Sequence, residues 1–236
     1  MKAYRYEQKY VLHEAQYLPL RQAVRALMGR DRHAGPGGEY MIRSLYFDDM
    51  YQTAYRDKLA GVYARKKYRV RIYNCQTTSI NLECKYKQGS YINKETVALS
   101  LDEYRRILEG DCWFLLDKDS HMAHEFYLDW RNRLLRPVVI VDYEREPYVL
   151  EAGTVRVTFD KNLRAVSPQE NIFDADAAAR SVLFPGQLIM EIKFTGYLPE
   201  RVRRIFHMRN TTQTSASKFC MCIDRLNGNA PIPVML

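Results

Sequence analysis

Charged residues recur at every second position in four separate stretches of this sequence, residues 5–9, 67–71, 83–87 and 191–193. A period of two is the side-chain repeat of a β-strand, so each set of charges lies on one face of its strand. The intervening positions are rich in apolar and aromatic residues, which form the opposite face. Because the charged faces are mainly cationic, their repetition indicates that several strands converge on a strongly anionic ligand.

Two further stretches extend this pattern. Arg145 shares a strand face with Tyr143, and Arg156 shares one with Asp160. At least five strands therefore carry an Arg or a Lys opposite an apolar face, and closing the sheet into a barrel would place one face of every strand inside. Unpaired cations in that interior would repel each other and would be costly to desolvate, so they require a bound anion or interleaved carboxylates. This requirement predicts a ligand-binding tunnel.

The overall charge agrees with an anionic ligand. The 236 residues include 36 Lys and Arg against 28 Asp and Glu, a formal net charge of +8. Such an excess favours nucleic acid, phospholipid surfaces, nucleotides or phosphate chains as partners. We expect no signal peptide, since the first residues are charged, and no apolar run approaches the ~20 residues of a membrane span. Five Cys without zinc-site spacing suit a reducing, cytoplasmic setting.

The order of the predicted elements indicates an α+β protein with a single domain over residues 1–236. Eight or nine antiparallel strands are separated into groups by inserted helices. Ser100 and Glu103 form a capping-box pattern at the start of one helix, and Gly110 marks its end. The segment 218–224 is predicted as the last strand. Such a sheet could close into a barrel.

Eight blocks of the sequence resemble, in the same order, those of the vacuolar transporter chaperone (VTC) domain. They read RYEQKY, SLYFDD, ARKKYRVRIY, LECKYK, VDYER, TVRVTFDKNLRA, LIMEIKFTGYLP and SKF. The resemblance runs from about residue 3 to residue 225, nearly the whole chain. On this basis the chain is identified as a member of the polyphosphate-polymerase branch of the triphosphate tunnel metalloenzymes.

The resemblance implies both a fold and a chemistry. The fold is a closed eight-stranded antiparallel β-barrel, the triphosphate tunnel, with helices packed outside. Interior cations of this family grip a triphosphate, and carboxylates hold a divalent metal, here Mn²⁺ or Mg²⁺. The implied reaction transfers the γ-phosphate of ATP to inorganic polyphosphate or pyrophosphate. Hydrolysis of tripolyphosphate or of a nucleoside triphosphate, and polyphosphate binding without catalysis, are the alternatives.

The functional residues of the family are carried over to the matching positions of this sequence. The implied phosphate-binding cations are Lys9, Lys67, Arg69, Arg71, Lys85, Lys94, Arg145, Arg156, Lys193 and Lys218. The implied catalytic group comprises Lys9, Arg69, Arg71, Lys85, Arg145, Arg156 and Glu191. Glu191 is the implied principal metal ligand with Glu7 near the metal, and Tyr143 is a candidate for stacking on the nucleobase.

One departure and several alternatives accompany this resemblance. Arg5 stands where the hydrolytic and cyclase branches have a further carboxylate, which favours the polymerase branch. Ion pairs that orient the cations are an equal alternative to metal binding for Glu7, Glu83 and Asp160. No nucleic acid is expected, because its binding would need cations and aromatics on an exposed surface. The sequence leaves open whether a membrane protein is a partner.

Overall fold

The computed structural model describes residues 5–89, 91–207 and 212–230. The strands within these ranges are β1 (Arg5–His13), β2 (Gly29–Arg30), β3 (Tyr40–Asp48), β4 (Ala64–Tyr73), β5 (Ile80–Gln88), β6 (Tyr91–Leu99), β7 (Arg136–Leu150), β8 (Val155–Val166), β9 (Ala179–Ser181) and β10 (Gln187–Thr195). The α-helices are α1 (Glu14–Leu27), α2 (Thr53–Leu59), α3 (Leu101–Glu109), α4 (His121–Arg133), α5 (Glu200–His207) and α6 (Lys218–Leu226). Short 3₁₀ helices span Trp113–Asp117 and Ala152–Thr154.

All of these strands belong to one antiparallel sheet, which confirms the α+β class. Its order is β1-β10-β8-β7-β3-β4-β5-β6, with β2 paired to β7 and β9 paired to β8. The sheet curls so far that Cα atoms of β1 and β6 approach within 8 Å. No hydrogen-bonded ladder joins these two edges in the part of the chain that the structure describes, so closure of the barrel is not confirmed.

The period-two charge pattern corresponds to the two faces of the sheet. On β4, Arg69 and Arg71 line the concave side, whereas Tyr68, Val70 and Ile72 belong to a buried apolar cluster on the convex side. Helices α3 and α4 complete that cluster, and α1 and α5 cover the convex faces of β1, β8 and β10. Burial of each such Val or Ile contributes about 1.5–3 kcal/mol. These two apolar clusters therefore lie outside the curled sheet, and the charged side chains lie on its concave side.

Helix α6 differs from the prediction in both type and location. The sequence predicted a strand over 218–224, but this segment is helical, and the Ser217 hydroxyl accepts a hydrogen bond from the Cys220 N–H (3.5 Å). The helix packs against Ile42 and Tyr143, which lie on the concave side. It is therefore buried all round, and periodicity cannot separate such a short apolar helix from a strand. The expectation that helices pack outside the sheet is wrong for α6.

The predicted start and end of α3 are confirmed. The Glu103 N–H donates to Ser100 Oγ (3.1 Å), and the Ser100 N–H donates to the Glu103 carboxylate (2.8 Å). Gly110 ends the helix in the left-handed conformation (φ 87°), which glycine adopts without a steric penalty. The extent of a single domain over residues 1–236 stays a prediction.

An aspartate at the end of β3 positions α2 beside the cavity. The Asp48 carboxylate accepts hydrogen bonds from the backbone N–H groups of Ala54 (2.9 Å) and Tyr55 (3.0 Å). A carboxylate at this position satisfies free amide donors and the positive end of the helix dipole. The helix that starts there brings Lys58 to the cavity wall.

Candidate active site

The concave face of the sheet encloses a cavity of about 1270 Å³. Thirteen Lys and Arg side chains line it against four carboxylates, an excess of nine positive charges. This excess is larger than the net charge of +8 of the whole chain, so the rest of the protein is close to neutral. A concave site of one sign of charge concentrates ligands of the opposite sign. The cavity is therefore suited to a polyanion.

The structure brings together every site residue that was predicted from the sequence. The residues Glu7, Lys9, Lys67, Arg69, Arg71, Lys85, Lys94, Tyr143, Arg145, Arg156, Glu191, Lys193 and Lys218 all line this one cavity. They come from seven strands and from α6. Strand parity predicted the convergence of the strand residues, whereas Lys218, expected on a last strand, reaches the cavity from α6. The individual chemical roles of all these residues stay predictions.

Glu191 on β10 is surrounded by cations. Its carboxylate lies 2.7 Å from Lys218 Nζ, 3.0 Å from Lys193 Nζ and 3.5 Å from Lys9 Nζ, and Arg145 Nη2 is 3.6 Å away. Burial alone would raise the pKa of Glu191, but the four cations outweigh burial and hold this pKa well below 4.5. Glu191 is therefore ionised, and it neutralises part of the charge around it.

Asp160 on β8 lies directly behind this group. Arg145 donates two parallel hydrogen bonds to its carboxylate (2.7 and 2.8 Å), and Lys218 Nζ lies 2.6 Å from it. Asp160 is fully buried and does not line the cavity. The two-point contact fixes the Arg145 guanidinium in one orientation. Asp160 is thus a positioning residue for Arg145 and Lys218.

Glu7 on β1 forms a second ionic centre. Lys85 donates a hydrogen bond to it (2.8 Å), and Lys9 and Lys193 each lie 3.7 Å away. Burial opposes ionisation, but these three lysines lower the pKa of Glu7 to about 2. In the β1–β10 ladder Glu7 is paired with Lys193 and Lys9 with Glu191, so charges of opposite sign face each other across the strands.

Glu83 on β5 organises the third group of cations. Arg69 contacts it at 2.6 Å, Lys94 also donates to it, and Arg71 lies 3.9 Å away. Burial opposes ionisation, but Arg69, Arg71 and Lys94 lower the pKa of Glu83 to about 2. Arg69 also donates to the Tyr46 hydroxyl (2.8 Å). Glu7, Glu83 and Asp160 therefore all make the ion pairs that were one of their two predicted roles.

Two further predicted side chains, Arg156 and Tyr143, occupy different environments. Arg156 donates to the Tyr40 hydroxyl (3.0 Å) and pairs with Asp31 (2.8 Å), a loop residue that no strand pattern could reveal. Tyr143 is 3% exposed, with Lys218 Nζ and the Arg145 guanidinium 5.1 and 5.2 Å from its ring centroid. These are cation–π distances, and stacking of Tyr143 on a nucleobase stays a prediction.

Four cations of the cavity wall make no ion pair with a carboxylate within the described residues. We call them the mouth cluster: Lys58, Arg65, Lys67 and Lys87. Lys67 instead donates to Ser217 Oγ (3.3 Å) and lies 4.3 Å from the Phe219 ring centroid. The pKa of Lys67 is lowered to about 8, and burial of the ammonium group is the largest cause. Sequence reasoning assigned no role to the other three, although Arg65 and Lys87 continue the period-two pattern of β4 and β5.

The cavity cations that pair with Glu7, Glu83, Asp160 or Glu191 form what we call the inner wall. They are Lys9, Arg69, Arg71, Lys85, Lys94, Arg145, Lys193 and Lys218. Each of them has a carboxylate within 4.0 Å in the protein itself. The inner wall is therefore charge-compensated and ordered by the protein alone, whereas the mouth cluster is not.

The oxygen donors fit a divalent metal only in part. The described ranges contain no group of three or more His, Cys, Asp or Glu side chains that could hold a metal ion. Glu7 and Glu191 are ionised and share Lys9 and Lys193 as neighbours. Mg²⁺ and Mn²⁺ take oxygen ligands, and Mg²⁺ commonly uses one or two protein carboxylates with phosphate oxygens and water. These two carboxylates therefore suit a metal ion whose remaining ligands are oxygens of a bound phosphate and water.

Fold and site together define an α+β protein whose antiparallel sheet curls around a basic cavity suited to phosphate chains. The family model of the VTC domain matches residues 4–227. The chain therefore belongs to the VTC domain family. A search of curated proteins finds no match.

Two solved structures share this fold at low sequence identity. HpAC1 from Hippeastrum, named as a candidate adenylyl cyclase and described as having a dominant triphosphatase activity, has a TM-score of 0.56 at 12% identity, with 97% of each chain covered. The PH1819 protein from Pyrococcus horikoshii OT3 has a TM-score of 0.50 at 12% identity, with 94% of this chain and 99% of that chain covered. At such identities the likeness shows the fold alone. Among the described residues, no helix has the length and apolar character needed to cross a membrane.

Proposed function

We propose that this protein is a phosphoryl transferase that moves the γ-phosphate of ATP to the end of an inorganic polyphosphate or pyrophosphate acceptor. The observation that carries the proposal is the excess of nine cations that line one cavity. A nucleic acid is a less suitable ligand, because these cations lie in a concavity and not on an exposed surface. Membership of the VTC domain family supports phosphate-chain chemistry.

The inner wall supplies what phosphoryl transfer needs. The bond between the γ-phosphorus and its bridging oxygen breaks, a terminal phosphate oxygen of the acceptor bonds to that phosphorus, and ADP leaves. Positioning and charge neutralisation do most of the catalytic work, so no Ser, Cys or His nucleophile is required. The guanidinium groups of Arg69, Arg71 and Arg145 offer planar forks for phosphate oxygens. The ammonium groups of Lys9, Lys85 and Lys193 offer compact charges.

The carboxylates would complete the site. In this proposal Glu191 and Glu7 hold Mn²⁺ or Mg²⁺ together with oxygens of the substrate, and the metal supplies further neutralisation of the phosphate charge when bound. Asp160 keeps Arg145 and Lys218 in place without touching the substrate. A cytoplasmic location remains part of the proposal, and all five Cys are free thiols.

Hydrolysis is the second candidate, because the same cavity would be a triphosphatase if water replaced the acceptor. The observation in its favour is the fold shared with HpAC1, which is described as having a dominant triphosphatase activity. Binding without catalysis is the third candidate. The ionised Glu191 argues against it, since a carboxylate among the cations weakens the attraction of the cavity for a polyanion.

A product analysis separates these three functions. Purified protein is incubated with Mn²⁺ or Mg²⁺, γ-labelled ATP and pyrophosphate, and the products are run on a gel. We expect a ladder of labelled phosphate chains. Glu191→Gln should reduce it by about 10²–10³-fold, the usual cost of losing one catalytic charge contact. Glu109→Gln, an exposed carboxylate on α3, is the matched control and should keep full activity.

Each result points to one function. Labelled free phosphate without a ladder would identify a hydrolase that uses the same site. Absence of both products, combined with tight binding of tripolyphosphate, would identify a binding protein. Neither product and no binding would exclude the phosphate-chain function altogether.

A further inference from the structure

One lysine of the mouth cluster has a nitrogen whose contacts are all uncharged groups. Lys67 Nζ donates to Ser217 Oγ (3.3 Å) and lies 3.9 Å from Cys220 Sγ. The Phe219 ring centroid is 4.3 Å away. A hydroxyl, a thiol and an aromatic ring can surround a neutral amine as well as an ammonium group. The contacts of Lys67 within the described residues therefore do not require that it be protonated.

The charges that face Lys67 from neighbouring elements favour the neutral amine. Burial is the largest cause of its pKa of about 8. Lys58 on α2, Lys9 on β1 and Arg65 on β4 lower this pKa further, whereas Cys220 on α6 opposes the change. At pH 8 about half of the Lys67 side chains carry no proton, against roughly 0.3% for a lysine of ordinary pKa. A lysine without its proton is a nucleophile.

Two nearby lysines show what a carboxylate partner changes. Lys85, which faces Lys67 across β4 and β5, also has a pKa near 8, but it donates a hydrogen bond to Glu7 (2.8 Å). Lys66 precedes Lys67 on β4, lies outside the cavity and pairs with Glu125 (2.6 Å). Its pKa is raised, although burial opposes this. Among these three lysines, Lys67 is therefore the best placed to react as an amine.

The cavity selects the class of electrophile that can reach this amine. Lys67 lines the cavity together with Lys9, Lys58 and Arg65, and such a concentration of positive charge attracts anions. An acyl phosphate combines a phosphate group, which these cations attract, with a carbonyl carbon, which an amine attacks. Its phosphate is also the leaving group, so the same cations would stabilise the charge that develops on it during the reaction.

We propose that Lys67 is a modification site, at which an acyl phosphate transfers its acyl group to the lysine nitrogen. Nζ bonds to the carbonyl carbon, the bond from that carbon to the phosphate oxygen breaks, and inorganic phosphate leaves with the proton that the nitrogen loses. The product is an uncharged amide, so the mouth cluster loses one cation. The site requires only that the cavity attracts anions, whichever phosphoryl reaction takes place there.

Acetylation kinetics on the wild-type protein test this site. The protein is incubated with acetyl phosphate at about pH 8, and mass spectrometry of its peptides follows the acetylation of each lysine over time. Lys66 is the matched control, because it is the adjacent residue of the same strand. The experiment is repeated with an excess of tripolyphosphate, and with p-nitrophenyl acetate, an acetyl donor that has no phosphate group.

We expect acetyl phosphate to modify Lys67 at least about tenfold faster than Lys66, since the larger fraction of neutral amine outweighs the lower reactivity of a less basic nitrogen. Tripolyphosphate should slow the reaction of Lys67 severalfold and leave Lys66 almost unaffected. The preference for Lys67 should fall severalfold with p-nitrophenyl acetate, because no phosphate group positions this donor.

Equal rates at Lys66 and Lys67 would overturn the proposed modification site. An undiminished preference with p-nitrophenyl acetate would also overturn it, because the cations would then have no part in selecting the donor. Tripolyphosphate that binds in a separate titration, yet does not slow the reaction of Lys67, would overturn the site and leave the proposed function standing. Selective acetylation of Lys67 by acetyl phosphate, in a protein that does not bind tripolyphosphate, would support the site and exclude the proposed function.

Discussion

The inner wall and the mouth cluster line the same cavity with the same kind of side chain, yet their cations have opposite electrostatic environments. Lys218, in the inner wall, touches Asp160 and Glu191, and its pKa is raised although burial opposes this. Lys67, in the mouth cluster, touches a hydroxyl and an aromatic ring, and its pKa is lowered to about 8, mainly by burial. The comparison teaches that a cavity cation with carboxylate neighbours stabilises the fold, whereas a cavity cation without them is available to bind an anionic ligand.

Replacing the paired lysine should give the largest effect. Lys218→Met leaves Asp160 and Glu191 short of one buried partner, and breaking such a pair costs about 3–5 kcal/mol of the free energy of unfolding. Denaturant titration measures this loss. A variant as stable as the wild type would mean that the inner wall is not structural, and the contrast between the two regions would fail.

The matching substitution in the mouth cluster should have the opposite sign. Lys67→Met removes a buried, unpaired ammonium group and keeps an apolar stem of similar length. We expect the free energy of unfolding to rise by about 1 kcal/mol, as happens when a functional residue is held in an unfavourable site. Affinity for polyphosphate should fall at the same time. Loss of stability in the same denaturant titration would show that Lys67 is better accommodated than its surroundings indicate.

A pH series gives the smallest and most specific effect. The folded-state pKa of Lys67 lies near 8, below its usual value of 10.5, so this ammonium loses its proton as the pH rises through 8. Affinity for long-chain polyphosphate should therefore fall severalfold between about pH 7 and pH 9. Lys67→Arg keeps its charge in this range and should show a shallower fall. Identical pH profiles for the wild type and Lys67→Arg would show that Lys67 does not contribute to polyphosphate binding.

The same titration has the reverse effect on the ligand-free protein. Between about pH 8 and pH 10.5 the unfolded chain keeps the Lys67 proton that the folded protein has lost. Stability rises with pH wherever the unfolded state binds more protons. The contribution of this residue to stability should therefore improve through that window, and Lys67→Met should lack the improvement.

Strand parity predicted more of the site than of the fold around it. Arg69 and Arg71 could be placed on one face because side chains alternate along any extended strand, whatever its neighbours. The Ser100 capping box was predictable for a similar reason, since its hydrogen bonds are local. Pairing of Asp31 with Arg156 joins a loop to a distant strand, and no sequence pattern encodes that approach.

Tertiary structure decided the features that depend on long-range packing. The segment 218–224 forms a helix on the concave side of the sheet, where residues 218–223 are buried and Lys218 reaches Asp160 and Glu191. Because that burial comes from distant strands, the sequence pattern of the segment did not reveal it. Whether β1 pairs with β6 also depends on how far the whole sheet curls, and these edges approach each other without a ladder among the described residues.

The sequence by itself determined which side chains share a strand face, and hence that a set of cations would meet in one cavity. It could not determine which of these cations would be neutralised. That outcome depends on distances between strands far apart in the chain, because an ion pair requires its two charges within about 4 Å. Only the tertiary structure therefore separated the inner wall from the mouth cluster.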